Sequence, residues 1–191
     1  MTSFKKNLPN FLTYFRIAVI PALVMVFFLK GHWGYWLSAG LFLLASVTDW
    51  LDGYLARALN AQSSVGKFLD PIADKLLVAT ALLLLVQSNT DDATRADIIP
   101  AIAIVCREIL VSGLREFLAE IRVSVPVSQL AKWKTAVQMA AIFLLLLGAG
   151  APGWSHAEVL GRVFLWLAGI LTLITGYAYL KTGWKHLSEQ A

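Results

Sequence analysis

The stretch from Asp49 to Asp74, DWLDGYLARALNAQSSVGKFLDPIAD, decides how this chain folds. It carries four aspartates and lies between two strongly apolar segments. Asp49 and Asp52 are three residues apart, and Asp70 and Asp74 are four apart, so each pair lies on one helix face. Two helices that meet across the short polar turn NAQSS would bring all four carboxylates into one cluster. Carboxylates this close to hydrocarbon usually mark a functional site.

Such a carboxylate cluster repels itself unless cations neutralise it. Sites built from oxygen ligands suit Mg²⁺ or Mn²⁺. The sequence therefore predicts that divalent cations bind at the cluster of Asp49, Asp52, Asp70 and Asp74, and two such ions could clamp a phosphoryl group. For any single aspartate, the alternative is a solvated helix cap or a partner of the helix dipole. The spacing of all four, with small residues and an arginine between them, favours the metal site.

The pattern D-x-x-D-G-x-x-A-R-x8-G-x-x-x-D-x-x-x-D resembles the signature of the CDP-alcohol phosphotransferase family. Every position matches, at Asp49, Asp52, Gly53, Ala56, Arg57, Gly66, Asp70 and Asp74. The resemblance implies that CDP-diacylglycerol is the donor, that an alcohol hydroxyl attacks its β-phosphorus, and that CMP leaves. It also implies that the first three aspartates bind metal. The last, Asp74, is expected to contribute to the second ion and to act as the general base.

Other residues of this signature would bind the donor. Gly53 and Ala56 would leave room for the base and ribose against the helix, and Arg57 would reach a phosphate or the base. Close helix packing is the alternative role for either small residue. The full predicted donor set is Thr13, Arg16, Asp49, Asp52, Gly53, Ala56, Arg57 and Gly66.

Two flanks are similar to one branch of the family, the bacterial phosphatidylglycerophosphate synthases. They are NLPNFLTYFR near the start, and REILVSGLREF with the following KWKTAVQ. This resemblance implies glycerol 3-phosphate as the acceptor. A basic patch of Arg107, Arg115, Lys132 and Lys134 would bind its phosphate, because arginine's forked donors suit that group. The alternatives are an ion pair of Arg107 or Lys75 with a carboxylate of another helix, and lysines that only set orientation.

The composition indicates a membrane protein. The 191 residues are 58% hydrophobic and 15% charged, with a mean hydropathy of +0.68, which is too apolar for an ordinary soluble domain. The net charge of +4 is small, and no nucleic-acid partner is expected. The single cysteine, Cys106, excludes an intramolecular disulfide and makes a cysteine metal site implausible.

The apolar segments predict six transmembrane helices, because a span in lipid must satisfy its own backbone hydrogen bonds. The first segment could instead be a signal peptide, but it is long and has Thr13 and Arg16 at its start, so we expect it to be retained. The predicted fold is an all-α integral membrane bundle, a single domain over residues 1–191 with a short juxtamembrane segment, 1–10. The predicted spans are 11–29, 35–55, 72–86, 98–118, 136–147 with an N-terminal extension, and 159–179.

Lysine and arginine predict how the bundle is oriented. The side that carries the aspartate cluster has most of the cations, namely Lys5, Lys6, Arg16, Arg57, Lys67, Arg115, Arg122, Lys132, Lys134, Lys181 and Lys185. The opposite side has Lys30, Arg95 and Arg162. The positive-inside rule then puts both termini and the cluster in the cytoplasm. We expect a bacterial cytoplasmic (inner) membrane location, and the family resemblance implies a homodimer.

The function predicted is a metal-dependent transferase that makes phosphatidylglycerophosphate from CDP-diacylglycerol and glycerol 3-phosphate. One alternative is a sibling enzyme with another acceptor, of the cardiolipin or phosphatidylinositol-phosphate synthase type. Another is a cation transporter, since carboxylates within a membrane also line ion paths. A transporter would carry polar residues nearer the membrane midplane and often internal repeats. A purely structural membrane subunit would leave the four aspartates without a role.

Overall fold

The computed structural model describes residues 3–59, 64–88, 95–121, 123, 128–150 and 155–188. Within these ranges the chain forms six α-helices and no strand. They are α1 (Ser3–Phe27), α2 (His32–Leu59), α3 (Ser64–Ser88), α4 (Ile98–Glu120), α5 (Gln129–Ala149) and α6 (Ser155–Ser188). The all-helical fold with six helices that the sequence predicted is therefore confirmed.

Local signals explain where several helices begin and end. Gly31 has a φ of +80° between α1 and α2, a left-handed conformation that glycine adopts without steric cost. The side chain of Ser128 accepts a hydrogen bond of 3.2 Å from the backbone N–H of Ala131, which caps the start of α5. The same helix ends at Gly150. These short connections make α1 with α2, and α5 with α6, antiparallel neighbours.

The core lies where the helices face one another, and every helix contributes to it. α5 packs most extensively against α6, while α1 contacts both α2 and α3, and α4 contacts both α3 and α6. Completely or almost completely buried apolar residues from successive helices are Leu23, Phe42, Leu77, Ile104, Ile142 and Ala168. Because α1 packs against α2 and α3 together, its polar residues can reach the aspartates on both.

The outer surface of the bundle is apolar. Large hydrophobic side chains such as Leu83, Ile109 and Leu173 are 68%, 64% and 61% exposed. A surface of this kind belongs in lipid or in an interface. Two helices of the described chain, Gln129–Ala149 and His156–Lys181, are long and apolar enough to cross a membrane, and Phe11–Phe27 is a shorter apolar helix. The fold is consistent with a membrane bundle; six crossings and cytoplasmic termini stay predictions.

Candidate active site

Two polar residues of α1 reach the predicted metal-binding aspartates of the next two helices. Thr13 and Arg16 are one turn apart and almost completely buried, with 1% and 0% of their surface exposed. The hydroxyl of Thr13 donates a hydrogen bond of 2.5 Å to Oδ1 of Asp70 on α3. The guanidinium Nη1 of Arg16 lies 2.7 Å from Oδ1 of Asp49 on α2. α1 therefore contacts an aspartate from each half of the predicted cluster.

Three of the four predicted carboxylates share one neighbourhood. Asp49 on α2 interacts electrostatically with both Asp70 and Asp74 on α3. The charge of Arg16 acts on both Asp49 and Asp74, so this arginine lies among the acids. The helix spacing of Asp70 and Asp74 and the contact between α2 and α3 produce this grouping, as the sequence predicted.

The remaining signature residues lie at the facing ends of the same two helices. The backbone of α2 includes Asp52, Gly53, Ala56 and Arg57 near its C-terminal end, but their side chains lie outside the described residues. Gly66 is buried in the first turn of α3, four residues before Asp70. These signature residues thus belong to the C-terminal part of α2 and the first turn of α3.

The donor atoms at this site are all of the type that Mg²⁺ or Mn²⁺ prefers. The carboxylates of Asp49, Asp70 and Asp74 are near enough to interact electrostatically, and their mutual repulsion would fall if a divalent cation were bound. Among the described side chains, no group of three acidic, histidine or cysteine residues forms a complete ligand set. The fourth predicted ligand, Asp52, is not among those side chains. The chemistry of the donor set fits a divalent ion.

A cavity of about 340 Å³ opens between α3 and α4, directly beside the acidic cluster. It reaches α3 at Lys75, the residue that follows Asp74, and it includes two of the four predicted acceptor residues, Arg107 and Arg115. The residues that line it are Pro71, Lys75, Arg107, Glu108, Val111, Ser112, Arg115, Glu116 and Ala119. The cavity therefore reaches α3 one residue after the last aspartate of the signature.

Arg107 is held in this cavity by α6. Its Nη2 donates a hydrogen bond of 3.3 Å to the hydroxyl of Thr175, and its guanidinium carbon lies 5.9 Å from the centre of the Tyr179 ring. Gly176 makes room for the stem of this arginine, because a Cβ there would lie 3.0 Å from Cγ of Arg107. Sequence reasoning missed these three residues of α6. Their spacing on one helix face was visible, but their partner on α4 was not.

The two predicted acceptor lysines of α5 behave differently from each other. Lys132 is exposed and does not line the cavity. Lys134 is 1% exposed, and its ammonium group contacts Oε1 of Glu108 on α4. An ion pair between helices was the alternative weighed for Arg107 and Lys75. In the structure, the lysine that forms an ion pair between helices is Lys134, with Glu108 of α4. Lys75 instead donates a hydrogen bond of 3.0 Å to the backbone carbonyl of Pro71.

A second polar cluster, which sequence reasoning also missed, lies at the start of α4, away from the cavity. Trp166 Nε1 donates a hydrogen bond of 3.2 Å to Oδ1 of Asp97, and Arg162 lies 3.4 Å from Oδ2 of the same carboxylate. Arg162 also pairs with Glu158 at 2.5 Å. Burial raises the pKa of the Asp97 carboxyl above its ordinary value of 3.8, although the Trp166 hydrogen bond and the Arg162 charge lower it. This cluster ties α4 to α6.

Comparison with known proteins identifies the family. The CDP-alcohol phosphatidyltransferase profile matches residues 6–174. A CDP-diacylglycerol–glycerol-3-phosphate 3-phosphatidyltransferase of Rickettsia typhi is 50% identical over 177 residues, covering 92% of this chain and 96% of the relative. A protein of the same name from Pseudomonas fluorescens is 44% identical, over 95% of this chain and 92% of its own length. A cardiolipin synthase (CMP-forming) of Oryza sativa is 38% identical over 95% of this chain and 58% of its own length. The chain belongs to the CDP-alcohol phosphatidyltransferase family.

Proposed function

We propose that this protein transfers the phosphatidyl group of CDP-diacylglycerol to glycerol 3-phosphate, yielding phosphatidylglycerophosphate and CMP. The observation that carries the proposal is the adjacency of an acidic cluster, Asp49 with Asp70 and Asp74, to a cavity lined by three cations. The first suits a metal-bound diphosphate and the second suits a phosphate-bearing acceptor. Bacterial relatives aligned over nearly the whole chain carry the name of this activity.

The donor would bind where α1, α2 and α3 meet. From a buried helix face, Thr13 holds Asp70 through a hydrogen bond and Arg16 holds Asp49 through an ion pair. Gly53 and Ala56 of the signature would admit the base and ribose, Arg57 would contact a phosphate or the base, and Gly66 lies at the facing end of α3. In a site with few other polar groups, these residues hold the diphosphate in position for in-line displacement.

Asp49, Asp52, Asp70 and Asp74 would hold the divalent ions, Mg²⁺ or Mn²⁺, and two ions agree with the number of carboxylates. Bound there, the metal would offset the charge that builds on the transferred phosphoryl group. The family as a whole supports divalent-metal dependence.

The acceptor would occupy the cavity between α3 and α4. Arg107 and Arg115 would bind the phosphate of glycerol 3-phosphate, and Lys75 adds a third cation on the α3 wall. The free hydroxyl would then point towards Asp74, one residue before Lys75 in the chain. Asp74 would accept the proton of this hydroxyl as its oxygen bonds to the β-phosphorus and the bond to CMP breaks.

We further propose that the helices cross a bacterial cytoplasmic membrane, with both termini and the site on the cytoplasmic side. The distribution of lysine and arginine supports this orientation, and the apolar outer surface supports the lipid environment. The substrates agree with it, since one is a membrane lipid and the other is water-soluble. A homodimer, expected from the family resemblance, belongs to the same proposal.

Acceptor specificity is tested with purified protein, CDP-diacylglycerol and Mg²⁺. CMP release is measured with glycerol 3-phosphate, phosphatidylglycerol or inositol phosphate as the only acceptor. We expect release with glycerol 3-phosphate alone. Release with phosphatidylglycerol instead would make the protein a cardiolipin synthase, the second candidate, which the similarity to the Oryza sativa relative favours. If no alcohol supports CMP release, the proposed transferase activity is refuted.

A further inference from the structure

Lys134 is a buried cation located between the two halves of the proposed site. It lies in the second turn of α5 and is 1% exposed. Lysine is almost never fully buried unless it is paired. Its ammonium group contacts Oε1 of Glu108 on α4, and it interacts electrostatically with Asp74 on α3. One lysine thus links a carboxylate of the acceptor cavity with a carboxylate of the metal cluster.

One carboxylate oxygen of Glu108 contacts two cationic side chains. Its Oε1 contacts Lys134 and also accepts a hydrogen bond of 3.2 Å from Nη1 of Arg107. Arg107 and Glu108 both line the cavity, whereas Lys134 does not. The lysine therefore acts on the cavity from behind its wall, through the carboxylate that it contacts.

The charge of the cavity wall depends on this contact. When Lys134 neutralises Glu108, the charged residues left on the cavity wall are three cations, Lys75, Arg107 and Arg115, and one acid, Glu116. That wall attracts a phosphate group. Without the lysine, Glu108 would hold Arg107 as its only close cation and would repel the acceptor.

We propose that Lys134 is a positioning residue for the acceptor phosphate. It neutralises Glu108, which Arg107 also contacts, so that the charge of Arg107 can act on the phosphate; the lysine does not bind the phosphate itself. The inference rests on the proposed function, because it concerns the acceptor of that reaction.

A double-mutant cycle tests it, using wild type, Lys134→Gln, Glu108→Gln and the double variant as purified full-length protein. Two quantities are measured: Kd for glycerol 3-phosphate by calorimetry without donor, and KM for both substrates from CMP release. Lys134→Gln should raise Kd and KM for glycerol 3-phosphate roughly tenfold or more. KM for CDP-diacylglycerol should stay within about twofold, since the donor contacts lie on other helices. Lys30→Gln, an exposed lysine of the α1–α2 turn, controls for loss of one positive charge.

The decisive comparison is the double variant. Removing Glu108 as well should return both constants to within about threefold of wild type, because no uncompensated carboxylate remains. If Lys134→Gln weakens binding equally with and without Glu108, the lysine binds phosphate directly and the inference is wrong. It is also wrong if KM for both substrates rises together. Wild type that binds glycerol 3-phosphate without releasing CMP would refute the proposed function, while the Kd cycle would still decide the role of Lys134.

Discussion

Thr13 of α1 donates a hydrogen bond of 2.5 Å to Asp70 of α3, a residue 57 positions further along the chain. The contact joins the first helix to the predicted metal ligands. Thr13 is 1% exposed and Asp70 is half-buried, so the bond is partly shielded from water. A hydrogen bond to a charged group in such a place is worth about 1.5–3 kcal/mol.

Replacing Thr13 should therefore reduce the rate of CMP release. Thr13→Val keeps the shape of the side chain but removes the hydroxyl, so Asp70 loses a donor that fixes its orientation. We expect kcat to fall roughly tenfold, the factor that about 1.4 kcal/mol produces. Thr13→Ser retains the hydroxyl and should keep most of the activity. Equal activity in the Val and Ser variants would show that the hydrogen bond does not position Asp70.

Asp70→Asn should abolish metal-dependent CMP formation. The amide keeps the size of the side chain and can still accept from Thr13, but it lacks the negative charge that attracts a divalent ion. Chelation of divalent metal should likewise stop the wild-type reaction, and added Mg²⁺ or Mn²⁺ should restore it. Radiolabelled CDP-diacylglycerol provides the measurement, and thermal unfolding confirms that the variant is folded. Activity that survives the substitution would refute the metal-site assignment.

Arg115→Gln should weaken binding of the acceptor and leave binding of the donor unaffected. Arg115 lines the cavity between α3 and α4, and its loss removes a charged hydrogen-bond donor to phosphate. We expect KM for glycerol 3-phosphate to rise roughly tenfold. Lys132→Gln is a matched control, because this lysine is exposed on α5 and outside the cavity. A larger effect at Lys132 than at Arg115 would favour the basic patch inferred from sequence over the cavity.

Asp97 should matter for stability and not for catalysis. Asp97→Asn keeps an acceptor oxygen for the indole N–H of Trp166 and removes only the charge that pairs with the partly exposed Arg162. We expect the free energy of unfolding of the Asn variant to lie within about 1 kcal/mol of the wild-type value. Asp97→Ala should lower the free energy of unfolding by about 1–3 kcal/mol, because the indole N–H of Trp166 loses its acceptor. Thermal unfolding in detergent measures the stability of both variants. If kcat falls together with the stability, Asp97 also affects catalysis and the prediction is wrong.

The aspartate pattern was predictable from sequence because it is local. Helix spacing puts Asp70 above Asp74, and a short connection brings the end of α2 to the start of α3. The apolar composition indicated a helical membrane bundle for a similar reason, since lipid permits few other ways to satisfy the backbone. Thr13 and Arg16 were found through the family resemblance, and the structure supplies their physical role as partners of Asp70 and Asp49.

The acceptor side depended on contacts between distant helices, and here sequence reasoning was incomplete. It grouped Lys132 and Lys134 because they are close in the chain, yet a difference of two residues on a helix turns their side chains to different faces. One is exposed, and the other is buried against Glu108 of α4. Thr175, Gly176 and Tyr179 share a helix face, but the sequence could not show that Arg107 of α4 packs against that face.

The sequence by itself thus determined the helical class, the family and the identity of the acidic residues, all of which follow from spacing along one or two helices. The tertiary structure alone decided which cations line the cavity, which lysine contacts Glu108 from outside the cavity, and how α6 holds Arg107. The physical reason is that a charge takes its role from the groups packed around it. In a bundle those groups come from helices far away in the chain.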